Sequence, residues 1–462
     1  TTITSKQAGD AKITVTVGGK SFDKTVVFTA NIQTAKVSSV IPEVKNQYLA
    51  DGKMTVTYTA KIVDANNNPI SNVDTDWLSN LSASEVKFSQ AKTKTNAQGE
   101  TTTTITSTKA EMVIVTASTN GDGKMAKEIH FVADKAQAQI TSLNVKKSTI
   151  VANGVDKTDV YVFVEDNYGN PVEGVDVQLQ TNNGAQLTVI TPFSKTDSHG
   201  LVRATLSTSQ AANNIMVAAV LANGNQQPIS STVKAVADNT TATVTIASSA
   251  NQVQIRPQAQ KVLLTATVVD NLNNPLVETP VTWLSDNNTL SVNTTRTDNR
   301  GQVTVELSGY IAGETTVTAQ LLNRREAQEK IQFIAGDANS LNSFFEIKPQ
   351  TIVANNREQA TATLTLRDQW NNPVTGQRID WDSNNNAITF TDSKELANTG
   401  EYQVKVSGNL ADTIDITAKN GAVSKQKSLG LIADSATALI KDMNITSQAT
   451  VPADGISRIT VQ

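Results

Sequence analysis

The sequence predicts an all-β chain of similar sandwich domains in series, and three observations carry that expectation. Thr, Val, Ile, Ala, Asn and Ser dominate, while aromatic residues make up only 4% of the chain, a usage that favours strands over helices. At 462 residues the chain exceeds what one hydrophobic core serves, so several domains of roughly 100–150 residues are expected. A short string also recurs with a period of about 100 residues, which marks a repeat architecture.

That string is Asp-x-x-x-Asn-Pro. It stands at Asp64 to Asn68-Pro69, Asp166 to Asn170-Pro171, Asp270 to Asn274-Pro275 and Asp368 to Asn372-Pro373, with the prolines 102, 104 and 98 residues apart. Proline drives its predecessor out of the helical region, and Asp and Asn side chains bond backbone two residues on, so each string predicts a corner between two strands. Eight residues past three of the prolines stand Trp77, Trp283 and Trp381, with Leu179 at that place in the second repeat. These four are predicted to fill the space between sheets. A glycine turn follows at Thr95 to Gly99, Thr196 to Gly200 and Thr297 to Gly301, and in reduced form at Asn398 to Gly400. Gly99, Gly200 and Gly301 are expected to supply positive φ in a hairpin turn. Each unit closes alike, on Phe131-Val-Ala-Asp134, Val236-Ala-Asp238, Phe333-Ile-Ala-Gly-Asp337 and Leu431-Ile-Ala-Asp434.

Within a repeat, strands follow from alternation. Val262, Leu264, Ala266 and Val268 fall on one face of the clearest one, because successive strand side chains point to opposite faces. Several short strands separated by Asn, Asp and Gly predict two packed antiparallel sheets in an immunoglobulin-like layout. The expected boundaries are 32–134, 135–238, 239–337 and 338–434. Residues 1–31 fit the later half of the template, the C-terminal part of an earlier unit. Residues 435–462 fit its opening, the N-terminal part of a further one, so the series is expected to continue. The junctions contain no Gly/Ser-rich or Pro-rich spacer. They predict restricted bending and an extended monomeric rod, on the order of 120–160 Å for four domains whose strands each span about 25–35 Å.

Composition narrows function. There are 39 basic and 43 acidic residues, a net charge of −4, interspersed rather than blocked, which gives no footprint for nucleic acid or an anionic membrane. Cysteine is absent, and with it any disulfide framework, thiolate nucleophile or cysteine-based metal site. The chain opens on Thr1 and Thr2 rather than a leader, and no apolar run is long enough to predict a membrane helix. The two histidines, His130 on a closing strand and His199 in a turn, each occur in one repeat only and are expected to be surface residues. Neither a Gly-x-Ser-x-Gly elbow nor a P-loop is present, so no catalytic residue, cofactor or enzyme activity is assigned.

Two sets of residues invite a binding role. Asp64, Asn66 and Asn68, with Asp166 and Asp270 at matching places, offer the oxygens a hard cation such as calcium takes. Each loop brings a single carboxylate among neutral amides, however, which suits turn chemistry, and no metal site is assigned. Trp370 lies inside the loop Asp368-Gln-Trp-Asn-Asn-Pro373, set against Asn67, Gly169 and either Asn273 or Leu272 in the other repeats. It is a contact candidate whose first expected neighbour is the adjoining domain. The Phe344-Phe345 pair is a second repeat-specific candidate for an exposed aromatic.

Taken together, Asp-x-x-x-Asn-Pro, the Trp eight residues on, Thr-Asp-x-x-Gly and the closing Phe-x-Ala-Asp resemble the bacterial immunoglobulin-like domain of group 1, the repeat of intimin and invasin. The resemblance covers essentially the whole chain. Its departures are Leu179 for Trp, the shortened turn of repeat four, and Arg256-Pro257 where other repeats have Asp51-Gly52, Asn153-Gly154 or Asn355-Asn356. It implies the extracellular stalk of an inverse autotransporter of a Gram-negative bacterium. Such a stalk meets the outer membrane only through an N-terminal barrel absent here, and its adhesive tip has no match in this chain. The implied partners, reached through the full-length adhesin, are a host-cell surface protein or a neighbouring bacterial cell. Two alternatives are that one repeat binds a receptor directly, and that stalks self-associate between cells, as in biofilm, through sandwich edge strands.

Overall fold

The structure, a computed structural model, describes residues 1–189, 194–224, 226–444, 446 and 450–462. The chain divides into two compact units, Thr1–Asp238 and Asn239–Gln462. Strands make up almost all of its regular structure, with only short 3-10 turns between them.

In the first unit, the hairpin Gly9–Val17 with Lys20–Phe28 precedes two sandwiches. The first sandwich has one sheet in the order Lys36–Pro42, Val56–Val63, Glu100–Ser107, Val86–Phe88. Facing it are Asp122–Met125, Val115–Thr119, Asp74–Ser79 and Lys92–Lys94, beside the smaller set Met112–Val113, Ile129–Val132 and Tyr48–Leu49. The second pairs the sheet Gln139–Val145, Thr158–Glu165, Leu201–Ser207, Gln186–Val189 with the sheet Thr149–Val151, Ile229–Val236, Ala212–Leu221, Val177–Thr181. The second unit repeats the plan twice, around Lys261–Val269 and Gln302–Ser308, then around Ala360–Thr365 and Glu401–Gly408. In all four sandwiches a short early strand runs parallel to the closing strand, as Thr149–Val151 does beside Ile229–Val236, while the neighbouring pairs are antiparallel. Asn444 and Gln462 exchange backbone hydrogen bonds at 3.0 Å in the last segment, part of which lies outside the described residues.

Alternation builds each core. Val262, Leu264, Ala266 and Val268 are buried along Lys261–Val269, opposite Trp283, Val317, Ile331 and Phe333. Trp77 and Trp283 are 2% and 1% exposed, and each indole N–H donates to a threonine hydroxyl on the next strand, Thr93 at 2.8 Å and Thr295 at 2.9 Å. A buried indole needs such an acceptor. Trp381 and Leu179 are only half-buried, short of the full burial expected at that position. For Trp381 the cause is topological: in repeats one and three an outer strand, Lys92–Lys94 or Thr294–Arg296, pairs with the Trp strand and covers it, whereas in repeat four the equivalent strand, Asp380–Ser383, is the edge of its sheet. Beside Leu179, Asp176 bridges Lys195 as Asp74 pairs with Lys94, and the residues just before Ser194 lie outside the described ones. Phe345 is likewise buried, tilted against Trp381 with ring centres 6.1 Å apart, and only Phe344 is exposed. The pair alternates along one strand instead of forming an exposed patch.

The glycines of the recurrent turn have φ of +68° at Gly99 and Gly200 and +72° at Gly301. In repeats one and three the turn does not join a hairpin. It carries the chain from Lys92–Lys94 or Thr294–Arg296 in one sheet to Glu100–Ser107 or Gln302–Ser308 in the other. The crossing brings the glycine against the Asn-Pro loop: a Cβ on Gly301 would lie 2.5 Å from the Val268 carbonyl oxygen and 3.1 Å from the Pro275 side chain. Beside it, the buried Thr297 hydroxyl donates to the Leu276 carbonyl at 2.5 Å and accepts from the Thr279 N–H at 2.9 Å. Thr95 and Thr196 make the same pair of bonds in repeats one and two.

Repeat four has lost that threonine with the shortening of its turn, and there Ile388–Leu396 does form a hairpin with Glu401–Gly408. The Tyr402 hydroxyl takes over both bonds, donating to the Val374 carbonyl at 3.0 Å and accepting from the Gln377 N–H at 2.9 Å. Burial pushes its phenol up to about 12.

Two outcomes follow from these contacts. Gly301→Val forces a strained φ and a backbone collision, and should destabilise the third repeat by more than about 3 kcal/mol; an unchanged calorimetric profile contradicts the turn's role. Tyr402→Phe leaves the carbonyl of buried Val374 and the Gln377 N–H without this partner and should cost repeat four about 1–3 kcal/mol. Because the folded phenol titrates above its ordinary value of 10.0, the wild-type repeat keeps this contribution below pH 10 and loses it as pH rises to about 12. Tyr402→Phe should flatten that loss.

Candidate functional site at the domain junctions

The Asp-x-x-x-Asn-Pro loops are the most regular polar feature of the chain, and their side chains are buried. Asp64, Asp166, Asp270 and Asp368 are 2%, 3%, 1% and 0% exposed. A buried carboxylate is costly unless its oxygens are satisfied, and the loop is shaped to do so. One oxygen of Asp166 accepts from the backbone N–H groups of Tyr168 and Asn170 at 2.9 and 3.0 Å. The Asn170 amide donates to both oxygens at 3.1 and 3.0 Å. Asn67, Gly169, Asn273 and Asn371 hold the positive φ that closes each loop, which identifies them as equivalent. Trp370 therefore corresponds to Asn66, Tyr168 and Leu272, correcting the alignment with Asn67, Gly169 and Asn273.

The asparagine also reaches outside its own repeat. Asn170 donates from Nδ2 to the Thr108 carbonyl at 3.0 Å, and its Oδ1 accepts from the Ala110 N–H at 2.8 Å. Asn68 makes the same two bonds with Lys6 and Ala8, both at 2.8 Å. Asn372 makes them with Tyr310 at 2.8 Å and Ala312 at 2.9 Å. In every case the partners lie 62 and 60 residues back. A primary amide offers one donor and one acceptor side by side, so it pairs with the backbone of the preceding repeat much as a strand residue would.

The aspartate completes the junction. Its second oxygen accepts from the N–H of the residue where the preceding unit ends: Asn31 for Asp64 at 3.2 Å, Asp134 for Asp166 at 3.2 Å and Gly336 for Asp368 at 3.0 Å. Asn31 and Asp134 in turn cap the 3-10 turns Ile32–Thr34 and Lys135–Gln137 that form the linkers, an acceptor role such side chains fill well. Burial pushes the Asp64 carboxyl up, but the Asn68 side chain and the N–H groups of Asn68, Asn31 and Asn66 outweigh it, and the group titrates below its ordinary value. With both oxygens facing N–H donors, this carboxylate is arranged to receive hydrogen rather than a cation. Among the described residues no group of three or more His, Asp or Glu is placed to hold a metal ion.

Aromatic residues add to two junctions. Trp370, half-buried, stacks on Tyr310 of the preceding repeat with ring centres 4.6 Å apart and planes 18° from parallel. Tyr168, at the same loop position, lies against repeat one, where a Cβ on Gly52 would come within 2.9 Å of its hydroxyl. Pro69, Pro171, Pro275 and Pro373 each form a lone antiparallel bridge to the residue before their aspartate. His130 and His199 are exposed. The sequence marked Asp and Asn as corner residues; their bonding across the junction escaped it. The signal was there in the asparagine itself, since a corner before proline does not require that residue at all four places.

Removing the amide should uncouple repeat two from repeat one. Asn170→Ala deletes the bonds to Thr108 and Ala110 and strips donors from a buried carboxylate, at a cost of about 2–3 kcal/mol. Calorimetry should show a lower and broader transition for the first unit; a profile identical to wild type contradicts the clamp.

Among curated proteins, the inverse autotransporter adhesin YeeJ of Escherichia coli strain K12 is 29% identical over 436 residues, covering 90% of this chain and 18% of that protein. Invasin of Yersinia enterocolitica is 27% identical over 125 residues, covering 27% of this chain and 15% of that one. This chain therefore spans less than a fifth of the length of either relative. Among solved structures, that of invasin, described as a bacterial integrin-binding protein, aligns at a TM-score of 0.41 with 20% identity, over 86% of this chain and 79% of the other. The bacterial Ig-like domain (group 1) matches residues 38–132, 140–236, 258–334 and 342–432. These four matches cover most of the sequence, and the chain belongs to the bacterial Ig-like domain (group 1) family.

Proposed function

We propose that this chain is a segment of the extracellular stalk of a bacterial surface adhesin of the intimin and invasin type. The stalk projects an adhesive region away from the outer membrane and carries load between that region and its anchor. The observation that supports the reading most is the clamp repeated at the junctions. The same two backbone groups of the preceding repeat, 62 and 60 residues back, are held by the same amide at three loops. A catalyst or a single receptor site gains nothing from the same joint repeated at three loops, whereas a spacer gains a fixed relation between neighbours.

On this reading the segment has no catalytic role. Cell adhesion is exerted through the full-length protein, anchored in the outer membrane by a part outside this chain. Invasin's description as an integrin-binding protein and the adhesin relative support a host-cell surface protein as the partner of the whole molecule.

Beads coated with the purified chain, beside beads coated with an unrelated immunoglobulin-like array, test the proposal on epithelial cells. Attachment no greater than the control is expected of a stalk. Specific, saturable attachment that single-repeat deletions abolish would overturn it.

A further inference from the structure

Three departures from the shared motif positions of the repeats meet in space. Repeat three carries Arg256-Pro257 in place of the usual Asp-Gly or Asn-Gly, and its match to the family begins only at residue 258. Its closing string holds an extra residue, Gly336. Repeat four alone places tryptophan in the Asp-Asn loop, at Trp370. All of these line one cleft of about 440 Å³ inside the second unit, together with Gln254, Asp337 and Gln369. The volume falls within the roughly 300–1,000 Å³ typical of small-ligand sites.

The cleft is built rather than incidental. Gly336 is buried, and a Cβ there would come 2.8 Å from the Ile255 carbonyl oxygen and 3.6 Å from Cζ3 of Trp370, so its lack of a side chain lets backbone and ring close together. The indole is held in place by its stack on Tyr310, which lowers the entropy a ligand must overcome. Gln254, Arg256, Asp337 and Gln369 are exposed, and their side chains have no hydrogen-bond or ion-pair partner among the described residues.

We propose that this cleft binds a neutral saccharide. One guanidinium and one carboxylate balance, which disfavours a phosphate or other anion, and two carboxamides add paired donors and acceptors of the kind that vicinal hydroxyls satisfy. The indole supplies an apolar surface for the sugar's C–H groups. The polar lining suits neither a lipid nor an apolar peptide. The proposal is independent of the stalk reading, since a spacer can carry a glycan site at one junction. The saccharide could come from a host glycoconjugate or from a bacterial polysaccharide.

The test displays the whole 462-residue chain on fluorescent beads. The beads are applied to an array with three arms: neutral mammalian oligosaccharides ending in galactose, mannose or N-acetylglucosamine, neutral bacterial polysaccharides, and sialylated or uronic acid oligosaccharides. Saturable binding to a neutral arm is expected, and the arm that binds identifies the source. Arg256→Ala with Gln369→Ala, which breaks no intramolecular bond, should leave the melting profile unchanged and weaken that binding at least about ten-fold, as loss of a charge-assisted and a neutral hydrogen bond implies. Binding no stronger than that of an unrelated immunoglobulin-like array overturns the proposal. So does a preference for the acidic arm, or neutral binding that survives the double substitution.

Discussion

A single buried Asp–Asn pair, repeated along the chain, is the interaction on which the rest of the structure leans. Its carboxylate would be prohibitively costly to bury alone, so each loop folds to bring N–H donors onto it from its own backbone and from the asparagine amide, and at Asp64, Asp166 and Asp368 also from the end of the preceding repeat. At the loops around Asp64, Asp166 and Asp368 the amide also pairs with the backbone of the preceding repeat. One charged group thus fixes a strand corner, the exit of a linker and a contact between neighbours. A joint made of hydrogen bonds is directional in a way that an apolar contact is not.

The inside of each repeat serves the same loop. The residue after the proline, Ile70, Val172, Leu276 or Val374, is buried, and its carbonyl is held by a threonine or, in repeat four, by Tyr402. The exchange of Thr for Tyr is instructive. The two hydroxyls come from different positions in the repeat yet satisfy the same acceptor and the same donor, so what persists is the pair of bonds and not the residue. The positive-φ glycine lies under the same proline, which explains why loop, turn and core recur together.

Much of this was legible in the sequence. The period, the alternation in Lys261–Val269 and the Trp positions predicted the all-β tandem layout because local patterning and burial agree there. What was not legible depended on partners far away in sequence. Nothing near Trp381 says that its strand is an edge, since the strand that covers Trp77 in repeat one is defined by pairing and not by composition. Nothing near Asn170 names Thr108 and Ala110, which lie 62 and 60 residues back. The glycine turn could be read for its φ but not for the sheets it connects. Trp370 could be marked as unusual, while its stacking partner, Tyr310, lay in a different repeat.

Amide hydrogen exchange at Ala8, Ala110 and Ala312 tests the central claim most directly, because each of these N–H groups donates across a junction to an asparagine side chain. The account predicts that they exchange at least about ten-fold more slowly than exposed loop amides, and that each loses its protection when Asn68, Asn170 or Asn372, respectively, is replaced by alanine. Exchange at the unprotected loop rate in the wild-type chain would contradict it.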